Sequence, residues 1–271
     1  MTMDRSNPRA LGRSRALLQQ LRSLGDVVAP ATILPVVLEQ VGLVEFYAVL
    51  QTPIGAAFVA YNDHGVSALM RAPSAADFER QFRQRFGRSL RRVAELPAGL
   101  RSMLHQPLSR AKRSSPRFDL RRLSEFERAV LLKVLQIPRG EVRPYAWVAR
   151  EIGSPKAVRA VGSALGRNPI PLLIPCHRVI RNDGNAGEYS FGREAKRIVL
   201  AAEGVDVEAL EELARSGTRY YGSDTTHIYC FPTCRNARRI TARHRVPFGS
   251  TKAAAVAGYR PCMVCRPAQA S

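Results

Sequence analysis

The chain has 271 residues, with 42 Lys and Arg against 22 Asp and Glu and a formal net charge of +20. Hydrophobic residues make up 45% of it, enough for a packed core, which excludes wholesale disorder. The most apolar early run, Val27 to Leu38, holds only 12 residues and is broken by Pro30 and Pro35, against the roughly 18–20 that a membrane span needs. The first residues are basic but lack an uninterrupted apolar region and a small-residue cleavage site, so no signal peptide is expected. The excess of cations favours a polyanionic partner, nucleic acid first among them.

Residues 1–45 read as a basic extension carrying Arg5, Arg9, Arg13, Arg15 and Arg22, with a short helix over Arg15 to Leu24 stopped by Gly25. From Phe46 the composition turns β-branched and aromatic. Phe46 to Leu50, Ala56 to Tyr61 and Val66 to Met70 are predicted as three short antiparallel strands, joined by the turns Thr52-Pro53-Ile54-Gly55 and Asn62-Asp63-His64-Gly65. His64 belongs to its turn. Ser74 is the predicted N-cap of a helix reaching Phe86, whose Phe78, Phe82 and Phe86 share one face and pack on the sheet. Residues 107–117 are polar and basic, a linker or exposed loop. Ser124 precedes a helix over Phe126 to Leu135 that ends at Ile137-Pro138. Tyr145 to Ile152 is a second helix closed by Gly153, and Lys156 to Leu165 a third, with Ser154 as N-cap and Pro155 at its first position. Two helices joined by Gly-Ser-Pro have the shape of a helix-turn-helix, and Lys156, Arg159 and Arg167 with few acids favour a DNA-contacting face. Leu172 to Ile174 is a short apolar run, Asp183-Gly184 and Gly187 mark loops, and Glu194 to Glu203 is a further helix ending at Gly204. Val207 to Gly222 changes composition and bridges to a cysteine-rich tail.

Five cysteines carry most of the chemistry: Cys176, Cys230, Cys234, Cys262 and Cys265. Four fall in the last 42 residues as Cys-x3-Cys, 27 intervening residues, then Cys-x2-Cys. That paired spacing reads as a metal site rather than as disulfides. Cys176 stands alone in Ile174-Pro175-Cys176-His177-Arg178-Val179. Beside a His in a basic chain it is either a thiolate nucleophile or an inert buried thiol, and composition leaves both open.

The ordered set Ile137-Pro138-Arg139-Gly140-Glu141, Tyr145, Arg159-Ala160-Val161-Gly162, Asn168-Pro169, Ile174 to Val179, Gly187, Tyr189-Ser190, Lys196 and Glu203-Gly204 resembles the O6-alkylguanine-DNA alkyltransferase family over about residues 118–206. Residues 46–106 are similar, more loosely, to its smaller N-terminal subdomain. The resemblance implies an α/β fold with a small ribonuclease H-like N-terminal subdomain and a helix-turn-helix catalytic subdomain. It implies a flipped nucleotide and displacement at its alkyl carbon by a thiolate. Cys176 is then the acceptor. His177 assists it through a water and is oriented by Glu203, Tyr145 supplies a proton or donor at N3 of the departing guanine, and Asn168 shapes the turn. Arg159 enters the base stack, with Lys156, Ala157, Val158 and Tyr145 on the DNA-binding side, and Val179, Tyr189, Ser190 and Phe191 line the pocket. Phe191 stands where many members have Gly, and Val158 where many have Ala.

Cys230-Phe231-Pro232-Thr233-Cys234 and Tyr259 to Pro267, with Thr225-Thr226, resemble the zinc-binding domain of the Ada family over about residues 219–267. The resemblance implies one Zn2+ held by Cys230, Cys234, Cys262 and Cys265, with Cys230 also accepting methyl from a DNA phosphotriester; His227 and Phe231 stand where that family has Gly and Arg. A plain structural zinc module is the other reading. The expected division is 1–45, 46–115, 116–206, a linker over 207–218, and a zinc domain over 219–271. The expected protein is a monomer of the bacterial cytosol and nucleoid that acts on double-stranded DNA bearing alkylated bases or phosphotriesters, without an organic cofactor or membrane. A methylation-responsive transcriptional regulator is the alternative.

Overall fold

The computed structural model describes residues 44–105 and 117–267, together with Val37. The helix expected over Arg15 to Leu24 and nearly all of the 107–117 segment lie outside the described residues. Three strands form where the β-branched runs predict them, β1 (Val44–Thr52), β2 (Gly55–Asn62) and β3 (Gly65–Met70); β1 extends two residues further at each end than expected, β2 one at each end, and β3 one at its start. Thr52 pairs with Gly55 and Asn62 with Gly65, so both connections are two-residue hairpins. A Cβ at Gly65 would lie 2.0 Å from the Arg117 carbonyl, and its φ of +127° suits only glycine. The His64 N–H donates to Asn62 Oδ1 at 2.8 Å, within the turn.

Helix α1 (Ala75–Phe86) starts at Ser74, whose Oγ accepts from the Asp77 N–H, and it lays Phe78 and Phe82 on the sheet. The Phe58 and Phe78 rings stack there, 4.9 Å apart. A fourth strand, β4 (Ser89–Arg92), is not signalled by the sequence because it is short and polar; it completes the order β3-β2-β1-β4. Helix α2 (Ala98–His105) follows.

Beyond Arg117 the chain is helical. Helix α3 (Glu125–Val134) opens with a capping box between Ser124 and Glu127. The two-residue strand β5 (Arg143–Pro144) leads into α4 (Tyr145–Glu151), and α5 (Val158–Gly166) follows a turn. This third helix begins two residues later than expected. Ser154 closes a turn through its carbonyl, to the Ala157 N–H at 2.9 Å, instead of capping a helix with its side chain. A 3-10 turn at Cys176–Arg178 runs into β6 (Val179–Ile180), which pairs in parallel with β5, and α6 (Arg193–Ala202) ends at Gly204, where φ is +84°.

Residues 207–218, expected as a linker, are mostly helix. Asp206 caps α7 (Val207–Arg215), which buries Val207 and Leu210 against Val142, Ile180, Leu200 and Val205. The tail forms a second four-stranded sheet of β7 (Tyr220–Ser223), β8 (Ile228–Cys230), β9 (Arg245–Phe248) and β10 (Arg260–Pro261) in the order β10-β8-β7-β9, with α8 (Thr251–Val256) after β9. One apolar cluster runs from the first sheet through α3, α4 and α5 to Phe231 and the four tail cysteines. Among the described residues no helix is long and apolar enough to cross a membrane.

Candidate functional site

Cys176 opens its 3-10 turn and is 6% exposed. The turn is shaped by Asn168, buried at the end of α5. Its amide nitrogen donates to the Ile174 carbonyl at 3.0 Å and to Cys176 Sγ at 3.2 Å, while its Oδ1 accepts from the Ile170 N–H at 3.0 Å. All three bonds hold the loop in one shape, and one of them reaches the sulfur. The loop carries Leu172 at a φ of +73°, a conformation that leucine rarely adopts.

His177 is 1% exposed, and its Nε2 sits 3.0 Å from Glu203 Oε1. Its Nδ1 is buried and has no hydrogen-bond partner among the described residues. The next residue, Arg178, clamps the same carboxylate: Nε donates to Oε2 at 2.8 Å and Nη2 to Oε1 at 2.7 Å, while Nη1 donates to the Ile137 carbonyl at 2.6 Å. Burial alone would raise the Glu203 pKa. The hydrogen bonds from His177 and Arg178 outweigh it and bring it down to about 2, so the group is a carboxylate. Burial lowers the His177 pKa despite the Glu203 bond, and burial raises the Cys176 pKa against the Asn168 hydrogen bond and the Lys196 charge. Both directions favour the uncharged forms, thiol and imidazole, at neutral pH.

Lys196, fully buried on α6, donates to the carbonyls of Val179 at 2.7 Å and Ala186 at 2.5 Å. It ties β6 to the loop that follows, and burial brings its pKa down to about 8. Tyr145, the first residue of α4, is half-buried; burial and then the Cys176 charge raise its phenol pKa. The α4 N-terminus takes its cap from the loop after β6, where Asn182 Oδ1 accepts from the Ala146 N–H at 3.1 Å. Tyr189 lies edge-on to His177 at 6.0 Å and to Phe191 at 5.6 Å. Phe191 is half-buried and packs against Ile54, Ala195 and Val199, and Ser190 is exposed. Lys156 and Arg159 are exposed near the start of α5, with Ala157 half-buried between them; Val158 is half-buried and packs partly on the core. The structure thus gathers Cys176, His177, Glu203, Asn168, Tyr145, Val179 and Tyr189 around one turn. Arg178 and Lys196 join them without having been assigned a role from sequence. Each has an apolar neighbour on one side only, Val179 after Arg178 and Ala195 before Lys196, so local sequence does not mark either as buried.

In the tail, the sulfurs of Cys230, Cys234, Cys262 and Cys265 are all buried and lie within 4.8 Å of one another. Four thiols converging this closely match the donor set of tetrahedral zinc, whose sulfurs would stand about 3.8 Å apart at the usual bond length of about 2.3 Å. Asn236 adds an N–H directed at Cys262 Sγ, 3.5 Å away. Cys230 borders a cavity of about 450 Å3 lined also by Thr225, Thr226, Arg239 and Arg243. His227 adopts a φ of +49°, which explains physically why a glycine suits that position. Phe231 is buried and faces Arg143, whose guanidinium carbon is 5.3 Å from its ring centroid.

Two family models match the chain: the 6-O-methylguanine DNA methyltransferase DNA binding domain over residues 125–205, and the metal binding domain of Ada over residues 211–268. A methylated-DNA–protein-cysteine methyltransferase of Cricetulus griseus is 47% identical over 98 residues, 35% of this chain and 47% of that protein. One from Methanosarcina barkeri is 34% identical over 167 residues, 58% of this chain and 96% of that protein. Among solved structures, the Mycobacterium tuberculosis OGT in complex with DNA has 29% identity and a TM-score of 0.48, covering 61% of this chain and 98% of that one. The chain spans about half the length of the first curated relatives it matches. With nearly the whole length of the Methanosarcina barkeri relative covered at 34% identity, this chain belongs to the methylated-DNA–protein-cysteine methyltransferase family.

Proposed function

We propose that the chain repairs DNA by moving an alkyl group from O6 of guanine, and also from O4 of thymine, irreversibly onto Cys176. The observation that carries this is the buried Cys176 sulfur, 3.2 Å from the Asn168 amide and next in sequence to an imidazole whose far nitrogen is held by Glu203. The thiol proton passes toward the unpartnered Nδ1 of His177 through a water, the carboxylate of Glu203 stabilises the resulting imidazolium, and the sulfur attacks the alkyl carbon. The S–C bond forms as the C–O6 bond breaks. The guanine leaves with the bonding pair and takes its proton at N3 from the Tyr145 phenol. Val179, Tyr189, Ser190 and Phe191 form the base pocket, and Arg159 fills the stack vacated by the flipped nucleotide, with Lys156, Ala157 and Val158 beside it on the DNA. Each chain reacts once and needs no organic cofactor.

For the tail the reading is one Zn2+ on Cys230, Cys234, Cys262 and Cys265, with Cys230 as acceptor of methyl from a DNA phosphotriester. Zinc keeps its ligands as thiolates, hence nucleophilic. The cavity beside Cys230, with its threonine hydroxyls and arginines, suits a phosphate oxygen. Residues 46–115, 116–206 and 219–271 act as two alkyltransferase subdomains and a zinc domain, in a monomer of the bacterial cytosol and nucleoid whose partner is double-stranded DNA.

Duplex DNA with radiolabelled O6-methylguanine should leave one label per chain, on the peptide containing Cys176, and Cys176→Ala should abolish it. Label persisting in that variant would overturn the reading. Methylphosphotriester DNA should place a methyl on Cys230 with zinc retained; mass spectrometry showing zinc but no methyl there would leave a purely structural metal module.

A further inference from the structure

Both cysteine pairs of the tail grip the segment that carries Tyr145. Between Cys230 and Cys234, Thr233 Oγ1 accepts from the Val142 N–H at 3.0 Å and lies 3.5 Å from the Val142 carbonyl oxygen. Val142 is 3% exposed, so its N–H has no water to turn to. One residue beyond the pair, the Arg235 N–H donates to Glu141 Oε1 at 3.1 Å; Glu141 is itself buried and paired with Arg143. From the other pair, the Cys265 carbonyl accepts from the Trp147 indole N–H at 3.0 Å, and the Pro267 carbonyl from Arg150 Nη1 at 3.3 Å. Trp147 and Arg150 lie on α4.

The connectivity gives these contacts a mechanical consequence. Val142 immediately precedes β5, and Tyr145 immediately follows it. β5 is in register with β6, Arg143 against Val179, and β6 leaves directly from the turn that holds Cys176. The placement of the Tyr145 phenol against the Cys176 sulfur is therefore set through this two-residue strand pair, too short to define its own position. Val142, directly before it, donates its N–H to Thr233 of the Cys230–Cys234 loop, and the Glu141 carboxylate accepts from Arg235 one residue beyond that loop.

We propose that the zinc-loaded Cys230–Cys234 loop is a positioning element for the reaction at Cys176, with Thr233 as its positioning residue. Zinc clamps both ends of the loop, and Thr233 carries that order into Val142, β5 and Tyr145. This rests on the reading of Cys176 as the alkyl acceptor.

The test uses the full chain as wild type, Thr233→Val and Thr233→Ser. Val keeps the shape and removes the hydroxyl; Ser keeps the hydroxyl. Zinc content, DNA Kd, single-turnover transfer from O6-methylguanine duplex at saturating DNA, and hydrogen exchange at the Val142 amide are measured for each. Thr233→Val should retain zinc and DNA affinity, exchange faster at Val142, and transfer about tenfold more slowly, the scale of effect expected when reacting groups are misplaced by a fraction of an ångström. Thr233→Ser should restore both values. Stripping zinc from the wild type with a chelator should speed exchange at Val142 and shift the emission of Trp147, the sole tryptophan of the chain. Trp147→Phe, which removes the bond to Cys265 away from Thr233, should also slow transfer with zinc retained. Wild-type transfer in both Thr233→Val and Trp147→Phe, or equal slowing in the Val and Ser variants, overturns the proposal. If Cys176→Ala still takes label, the reading of the acceptor fails instead. The emission and exchange readouts of zinc removal stand apart from that result.

Discussion

Glu203 is the residue on which the site's electrostatics converge. Its carboxylate receives two bonds from Arg178 and one contact from His177, all from consecutive residues of one turn. Its folded pKa of about 2 lies below the ordinary 4.5, so the deprotonated form stabilises the fold at every pH above 4.5. That contribution disappears as pH falls from 4.5 toward 2, and is on the order of 3 kcal/mol. Asp119, held low chiefly by its hydrogen bond from Arg121 against the opposing effect of burial, adds to the same acid limb. Glu203→Gln should therefore lower Tm at pH 7 and flatten, without abolishing, the loss of Tm between pH 5 and 2. Parallel Tm–pH curves for the two proteins would show that Glu203 does not carry this stability. The sequence makes Cys176, His177 and Glu203 legible as members of one constellation. Arg178 as the second holder of Glu203 is not legible, because nothing local shows which acid a buried arginine meets 25 residues away.

At the level of elements, glycines separate the positions where packing is tight from those where it is not. Gly222 lies on β7 between two aromatic rings. A Cβ there would stand 2.6 Å from Tyr259 Cε1 and 2.7 Å from Phe248 Cε2, so both rings must give way. Overpacking of this kind costs about 1–3 kcal/mol. Gly222→Ala should lower the stability of the zinc module and speed loss of zinc to a chelator. A Cβ on Gly166, at the end of α5, would meet no atom of the other described residues within 4 Å beyond its own helix, and Gly166→Ala should raise stability by up to about 1 kcal/mol through helix propensity. Equal Tm values for the two variants would remove the steric argument at Gly222. Elements with a strong local pattern, such as α1 with its phenylalanine stripe and α3 with its apolar period after Ser124, are read correctly from sequence to within a residue. Helix α7 reads as a linker because its pattern is short and its apolar face becomes meaningful only opposite Val142 and Ile180.

Over the whole molecule, charge and packing act at different ranges. A net charge of +20 should draw the chain to any duplex, and such binding should weaken with salt by a slope of about −0.9 per phosphate neutralised. Residues 218–271 hold nine Lys and Arg against one acid. The arginines at the Cys230 cavity should contribute to that slope: Arg239→Ala and Arg243→Ala should each make it shallower by about 0.9 on undamaged duplex, read by fluorescence anisotropy across a salt series. An unchanged slope would place both side chains off the DNA.

The sequence by itself determines the chemistry this protein can carry: one thiol beside an imidazole, four thiols at metal-ligand spacing, a basic surface, and the start and stop signals of most helices. These are local properties, fixed by side-chain type and by spacings of a few residues. Tertiary structure alone decides what depends on residues far apart in the chain. It brings two cysteine pairs within 4.8 Å, sets Trp147 against the Cys265 carbonyl, and hangs Val142 on Thr233, 91 residues away. It also turns two modules that read as separate on either side of a linker into neighbours sharing one apolar cluster. The reason is physical: a buried donor must find an acceptor wherever the fold supplies one, and no local pattern of residues names that partner.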